Sequence, residues 1–133
     1  MTPAVKPVDK TGRSGMAKRI LVVDDSSMMR KMIKKTLTEA GHDVVADAKN
    51  GKEALDYYMS LSPDVVTMDI TMRDLDGIAA ARKIIEYDEK ARIIFLSNLD
   101  QEKYGEDALA IGAIGYVNKN RAQEILQLIE QQV

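Results

Sequence analysis

Short apolar runs alternate along the chain with longer segments in which apolar residues recur at helical spacing. Two of the runs, Ile20–Val23 and Val65–Met68, are uninterrupted and rich in β-branched residues, which is typical of strands buried on both faces of a parallel sheet. The alternation predicts five strands and five helices. In chain order these are β1 at 20–23, α1 at 27–40, β2 at 43–48, α2 at 52–61, β3 at 65–69, α3 at 77–87, β4 at 92–96, α4 at 101–111, β5 at 115–118 and α5 at 122–131.

The helical segments also predict which residues face the core. Ser26 and Ser27 offer N-cap oxygens to α1, and Gly41 ends this helix. The apolar positions expected to face the core are Met29, Met32, Ile33, Leu37 and Ala40 in α1, and Ala54, Leu55, Tyr58 and Met59 in α2.

Strict alternation of strands and helices predicts an α/β fold, with one parallel sheet covered by helices on both faces. A closed eight-stranded barrel needs about 250 residues, which exceeds the 133 residues of this chain. Neither GxGxxG nor GxxxxGK[ST] occurs, so the motifs of dinucleotide binding and of P-loop nucleotide binding are both absent from the sequence.

Composition narrows the possible functions. The chain is 45% hydrophobic and 30% charged, with a net charge of -2 and no basic stripe, which argues against nucleic-acid binding. It has no cysteine and only one histidine, His42, so disulfides, thiolate sites and histidine-rich zinc sites are excluded. No apolar stretch approaches the roughly 20 residues that a membrane-spanning helix requires. We therefore predict a cytoplasmic protein with no membrane insertion.

Residues 1 to 15 contain two of the three prolines and show no apolar period, and Met16 follows them directly. We predict a flexible N-terminal extension over 1–15 and a single folded domain over 16–133. The extension is either a short native tail or an added leader, with Met16 as the natural start.

Acidic residues follow two of the predicted strands. Asp24 and Asp25 end β1, and Asp69 ends β3. In open α/β sheets, ligands bind beyond the carboxyl ends of the strands, so these three carboxylates are expected to converge. Crowded carboxylates repel one another and favour a cation between them, and Mg²⁺ prefers such oxygen ligands. Each acid alone is equally well explained as a helix cap or a loop residue.

Two further residues complete a family pattern. Ser97 follows β4 and Lys119 follows β5. With the acids, they resemble the receiver domains of two-component response regulators, and most closely the CheY-like single-domain regulators, over about residues 18 to 132. The resemblance implies a flavodoxin-like (βα)5 three-layer sandwich with strand order 2-1-3-4-5. It also implies that Asp69 is the phosphoacceptor.

The resemblance assigns the remaining roles. Asp25, Asp69 and the main-chain carbonyl of Thr71 would hold Mg²⁺, and Asp24 would act directly or through a water. Lys119 and Ser97 would contact the phosphoryl oxygens.

A switch is also implied by the resemblance. Ser97 would move towards the phosphate and Tyr116 would swing inward, changing the surface formed by α4, β5 and α5. The alternative is that Tyr116 is an ordinary half-buried strand tyrosine.

Three positions depart from the usual family pattern. Arg73 and Asn98 flank the expected phosphate entrance, where proline and a small residue are common. Asn120 stands where the family generally has a cis Lys-Pro bond, and a cis bond before a non-proline residue costs about 2.5 to 4 kcal/mol. We therefore expect either a strained cis Lys119-Asn120 bond or a remodelled trans loop that changes where Lys119 points.

The expected function is that of a stand-alone response regulator rather than an enzyme acting on other molecules. A sensor histidine kinase would be the phosphodonor, and a downstream protein, most simply a chemotaxis motor switch, would bind the α4-β5-α5 face. The alternatives are a phosphorelay intermediate and an interaction module that acts without phosphorylation. An aspartate-based phosphohydrolase is disfavoured because Thr71 replaces the second acid that such enzymes need. We expect a monomer, with a phosphorylation-dependent dimer as the alternative.

Overall fold

The computed structural model describes residues 17–72, 77–98 and 101–133, with only the backbone described for 101–105. The predicted alternation of strands and helices is confirmed. The elements are β1 (Arg19–Val23), α1 (Ser27–Glu39), β2 (Asp43–Ala48), α2 (Gly51–Leu61), β3 (Val65–Asp69), α3 (Gly77–Tyr87), β4 (Ile93–Ser97), α4 (Gln101–Ala110), β5 (Gly115–Asn118), a 3-10 turn (Lys119–Arg121) and α5 (Glu124–Gln132).

The five strands form one parallel sheet in the order β2-β1-β3-β4-β5, as the resemblance implied. The register aligns the carboxyl ends of the central strands: Val23 lies opposite Met68, Asp69 opposite Leu96, and Ser97 opposite Asn118. The chain reverses its direction of winding between β1 and β3, which is where ligands bind in open sheets of this type. The register therefore brings the ends of β1, β3, β4 and β5 to one edge.

Two apolar layers cover the two faces of the sheet. Alternate residues of β1 point to opposite layers, with Leu21 and Val23 on one side and Ile20 and Val22 on the other. Helices α2, α3 and α4 cover the first layer, and α1 and α5 cover the second. Buried helical residues of the two layers are Ala54, Tyr58, Ala80, Ala81, Ile84 and Ala108, and Ile33, Leu37, Ile125 and Ile129. This arrangement confirms the three-layer sandwich.

The core-facing stripes are narrower than the sequence predicted. Met32 in α1 is 43% exposed, Met59 in α2 is 47% exposed, and Ala40 is also exposed, so these three predictions were wrong. In α1 the fully buried residues are Ile33 and Leu37, spaced by four. A helix that lies on a flat sheet buries only its central ridge, so positions about 100° to either side reach solvent.

No helix in the described ranges is both long enough and apolar enough to cross a membrane. Several element boundaries also differ from prediction by one or two residues. Strand β4 extends to Ser97, and α5 begins at Glu124 because a 3-10 turn occupies the preceding residues.

Candidate functional site

Asp24 and Asp25 lie just beyond β1 in very different surroundings. Asp24 is fully buried, and its main-chain amide donates to the carbonyl of Ala48 at 3.0 Å, so the chain continues alongside β2 before it turns. Asp24 Oδ1 accepts from the amide of Ser26 at 2.9 Å. Ser26 in turn caps α1, since its Oγ accepts from the amide of Met29 at 3.2 Å. Asp25, between the buried aspartate and the helix cap, is exposed.

The three predicted acids do converge. One carboxylate oxygen from each of Asp24, Asp25 and Asp69 lies within 4.8 Å of the other two. These three carboxylates offer the hard oxygen donors that Mg²⁺ prefers, so the residues present fit this ion.

Lys119 reaches the same cluster. Its Nζ lies 2.8 Å from Asp24 Oδ2 and 3.3 Å from Asp69 Oδ1, and its side chain is only 9% exposed. No peptide bond in the described ranges is cis, so the Lys119-Asn120 bond is trans. The remodelled trans loop is thus the correct alternative of the two. It does not carry the lysine away from the acids.

The loop after β5 explains how a trans bond still directs the lysine inward. Asn118 ends β5, and its side-chain Oδ1 accepts from the amide of Asn120 at 2.8 Å. This short turn starts the 3-10 segment Lys119–Arg121 and leaves Asn120 exposed while Lys119 is buried. An asparagine that bonds to a backbone amide two residues on is a common way to fix such a turn.

The electrostatics of the cluster are set by burial. Burial and, after it, the charge of Asp24 raise the pKa of Asp69 from 3.8 to about 6, although Lys119 and the amide of Thr71 act to lower it. Burial also acts to lower the pKa of Lys119, but the hydrogen bond and charge of Asp24 and the charge of Asp69 outweigh it, so its pKa lies above the ordinary value. Lys119 is therefore protonated at neutral pH.

The backbone next to Asp69 is unusually crowded. The amide of Gly77, at the start of α3, donates to the carbonyl of Ile70 at 2.7 Å. A Cβ at Gly77 would collide with the main-chain oxygen of Asp69 and come within 2.8 Å of Ile70 Cα. The sequence predicted only that α3 begins at this glycine. Its requirement for close approach appears only when α3 packs against the end of β3.

Of the remaining predicted residues, the structure describes Ser97, Thr71, Tyr116 and Asn98. Ser97 is fully buried at the end of β4, one position beyond the partner of Asp69. Thr71 is exposed, and its amide donates to Asp69 Oδ1 at 3.2 Å. Tyr116 is half-buried against the apolar layer formed with α2, α3 and α4. Asn98 is exposed, whereas Arg73 lies outside the described residues.

Comparison with known proteins agrees with this geometry. The sequence profile of the response regulator receiver domain matches residues 20–130. The chain belongs to the response regulator receiver family. The receiver is 45% identical over 117 residues to the chemotaxis protein CheY of Bacillus subtilis, and this match covers 87% of the chain and 98% of that protein. It is 43% identical over 104 residues to the CheY protein of Thermotoga maritima, covering 78% and 87%.

Solved structures place the receiver in the same fold. A chain of the CheX-CheY-BeF3-Mg complex from Borrelia burgdorferi aligns with a TM-score of 0.81 at 34% identity, covering 90% of this chain and 89% of that one. A LuxR-family two-component response regulator from Aurantimonas also aligns with a TM-score of 0.81 at 34% identity, covering 86% and 83%. The receiver is thus a CheY-like signalling domain.

Proposed function

We propose that this receiver is a CheY-type response regulator that accepts a phosphoryl group on Asp69 from a sensor histidine kinase and then binds a downstream protein. The proposal is carried by one observation. Asp69 is a buried carboxylate with a protonated lysine 3.3 Å from one oxygen and two further carboxylates at the edge of the same cluster. This combination suits a nucleophile whose charge must be balanced before and after the transfer.

The transfer follows from these groups. An oxygen of Asp69 attacks the phosphorus of a phosphohistidine, a P–O bond forms, and the P–N bond breaks with its electron pair leaving on the imidazole. Lys119 is close enough to share its charge between Asp69 and a phosphoryl oxygen. Ser97 would donate its hydroxyl to another phosphoryl oxygen. The amide of Thr71 donates to Asp69 Oδ1 and helps to hold the acceptor in place.

Asp24, Asp25, Asp69 and the main-chain carbonyl of Thr71 would hold the Mg²⁺ ion, with Asp24 acting directly or through a water. When bound, the ion supplies positive charge that neutralises the acceptor and the incoming phosphoryl group. Asp24 is also the nearest partner of Lys119, at 2.8 Å, so we propose that Asp24 restrains the lysine until phosphate arrives.

The output would be a change at the face formed by α4, β5 and α5. Ser97 and Asn118 are register partners at the ends of β4 and β5, and Tyr116 lies two residues before Asn118. A movement of Ser97 towards the phosphate would therefore be transmitted to the strand that carries Tyr116. Chemotaxis is the proposed setting, because the receiver's CheY relatives are chemotaxis proteins. We expect a monomer before phosphorylation.

Phosphorylation is tested by intact-mass analysis after incubation with acetyl phosphate. We expect a phosphoryl adduct that requires Mg²⁺, is absent in Asp69→Asn, and persists in Asp56→Asn, which removes an exposed carboxylate of α2. No adduct under any condition would refute the proposal and favour an interaction module that acts without phosphate. Transfer from the adduct to a histidine phosphotransfer protein, faster than loss to water, would favour a phosphorelay intermediate.

The switch is tested separately by backbone NMR, with beryllium fluoride and Mg²⁺ standing in for the phosphoryl group. We expect shifts that spread from Asp69 through Ser97 to Tyr116 and α4. Shifts confined to residues that line the acid cluster would contradict the proposed output face.

The effect of the departures from the family pattern at Arg73, Asn98 and Asn120 is tested by the lifetime of the phosphoryl adduct, since Asn98 and Asn120 are both exposed beside the site. An unchanged lifetime in Asn98→Ala would exclude a role for that side chain.

A further inference from the structure

Arg30, in the first turns of α1, connects the acid-bearing loop to the edge strand of the sheet. Its Nη1 donates to the main-chain carbonyl of Asp24 at 2.7 Å. Its Nε donates to Asp47 Oδ2 at 3.1 Å. The side chain is 18% exposed, so the guanidinium is largely enclosed between α1, β2 and the loop. One planar group thus spans two elements with two fixed donors.

The far end of this connection is itself held in place. Asp47 lies on β2 directly beside Val22 of β1. Val22 precedes Asp24 by two residues. The same oxygen of Asp47 that accepts from Arg30 also lies 3.3 Å from Lys34 Nζ, one turn further along α1. Asp47 therefore forms ion pairs with two cationic side chains, and its negative charge balances that of the guanidinium next to the acid cluster.

The carbonyl of Asp24 belongs to the same peptide group as the amide of Asp25. A hydrogen bond to that oxygen therefore fixes the plane in which the chain passes from the buried acid to the exposed one. The amide of Asp24 is held on its other side by Ala48, at 3.0 Å. Arg30 supplies the second restraint, and the two together determine where both carboxylates emerge from the end of β1.

We propose that Arg30 is a positioning residue for the divalent cation site, acting through the main chain of Asp24, and that Asp47 holds Arg30 in that role. The inference rests on the proposed Mg²⁺ site and deepens it. Residues that orient metal ligands without touching the metal commonly alter metal affinity by about 10 to 100-fold when they are replaced. Arg30 carries a positive charge close to the site, so its direct electrostatic effect on Mg²⁺ is repulsive. If Arg30 positions the ligands, replacing it should weaken Mg²⁺ binding. If it acts only through its charge, replacing it should strengthen Mg²⁺ binding.

Lys34 provides the matched control. Arg30→Gln and Lys34→Gln each remove one positive charge and one contact with the same oxygen of Asp47, but only Arg30 contacts the Asp24 carbonyl. Isothermal titration calorimetry should show Mg²⁺ affinity about tenfold weaker in Arg30→Gln and unchanged or slightly tighter in Lys34→Gln. Arg30→Lys keeps the charge but loses the rigid fork that directs separate nitrogens to the two partners, so we expect an intermediate loss.

A second measurement needs no metal. In the metal-free protein, amide hydrogen exchange at residues 24 to 26 should be faster in Arg30→Gln than in Lys34→Gln, because the loop has lost a restraint. Asp47→Asn, which keeps Arg30 but weakens its anchor, should loosen the same amides and weaken Mg²⁺ binding a few-fold. The hydrogen-exchange measurement on this variant keeps the test decisive if Arg30→Gln does not fold, because loss of the Asp47 charge would by itself weaken Mg²⁺ binding.

The outcomes separate the inference from the proposed function. Wild-type protein that binds no Mg²⁺ would overturn the proposed function and, with it, the metal role of Arg30. Wild-type protein that binds Mg²⁺, with equal or tighter binding in Arg30→Gln, would overturn the inference alone. Equal losses in Arg30→Gln and Lys34→Gln would also overturn it, because the effect would then come from Asp47 and not from the Asp24 carbonyl.

Discussion

Replacing the phosphoacceptor by its neutral isostere should make the protein more stable, although it abolishes the proposed function. Asp69 is 2% exposed and lies beside the buried Asp24, with Lys119 as its only neighbouring cation among the described residues. Burial and the charge of Asp24 together penalise its ionised form more than Lys119 stabilises it. Asp69→Asn keeps the size of the side chain and removes this penalty.

The magnitude follows from the pKa of Asp69, which is raised from 3.8 to about 6 in the folded state. A difference of about 2 units at 1.36 kcal/mol per unit corresponds to about 3 kcal/mol. Below pH 3.8 the carboxyl is protonated in both the folded and unfolded states. The contribution to stability that comes from the folded state's preference for the protonated carboxyl is then fully present. As the pH rises towards 6 the unfolded chain ionises first, so the contribution is lost. Above that pH, the free energy of unfolding of Asp69→Asn should exceed that of wild type by about 1 to 3 kcal/mol.

The free energy of unfolding can be measured by urea titration with far-ultraviolet circular dichroism, because the chain has no tryptophan. Chelator should be present to remove Mg²⁺. The stability difference should shrink towards zero near pH 4, and Mg²⁺ should reduce it at neutral pH by stabilising wild type more than the variant. Asp56→Asn, at an exposed position, should change stability by less than about 0.5 kcal/mol. Equal or lower stability of Asp69→Asn at neutral pH, or a difference that persists near pH 4, would refute the reasoning.

Three further substitutions test other features of the site. Gly77→Ala should destabilise the fold by about 3 kcal/mol, because the added carbon collides with the main chain that carries the acceptor. Gly115→Ala, whose added carbon meets a flexible leucine side chain, should lower the free energy of unfolding less when both are measured by urea titration. Equal losses in the two variants would contradict this reading. Thr67→Val should raise the free energy of unfolding by about 1 kcal/mol, because the Thr67 hydroxyl is buried without a hydrogen-bond partner in the described ranges, and any loss would count against that assignment. Asn118→Ala should slow phosphorylation by acetyl phosphate about tenfold, because it releases the loop that directs Lys119 inward. The rate can be followed by intact mass, and an unchanged rate would exclude this role.

Much of the fold could be predicted because its signals are local. Each strand is a short apolar run, each helix has a periodic stripe, and parallel neighbours leave few possible connections. The errors at Met32 and Met59 arose because the apolar pattern marks a wide stripe, whereas packing on the sheet buries only the centre of that stripe. The trans bond at Asn120 could not be chosen from sequence, because it depends on a turn closed by the Asn118 side chain.

The sequence by itself predicted which residues would lie at one edge of the sheet, because the carboxyl ends of parallel strands meet there, and Asp24, Asp25 and Lys119 follow strands while Asp69 and Ser97 end them. Only the tertiary structure decided how these residues differ. Asp24 is buried and paired with Lys119, Asp25 is exposed, and the pKa of Asp69 is raised to about 6 by its surroundings. The contacts of Gly77 and Arg30 likewise appear only after packing. Distances and burial depend on how distant elements meet, and no local pattern of residues records them.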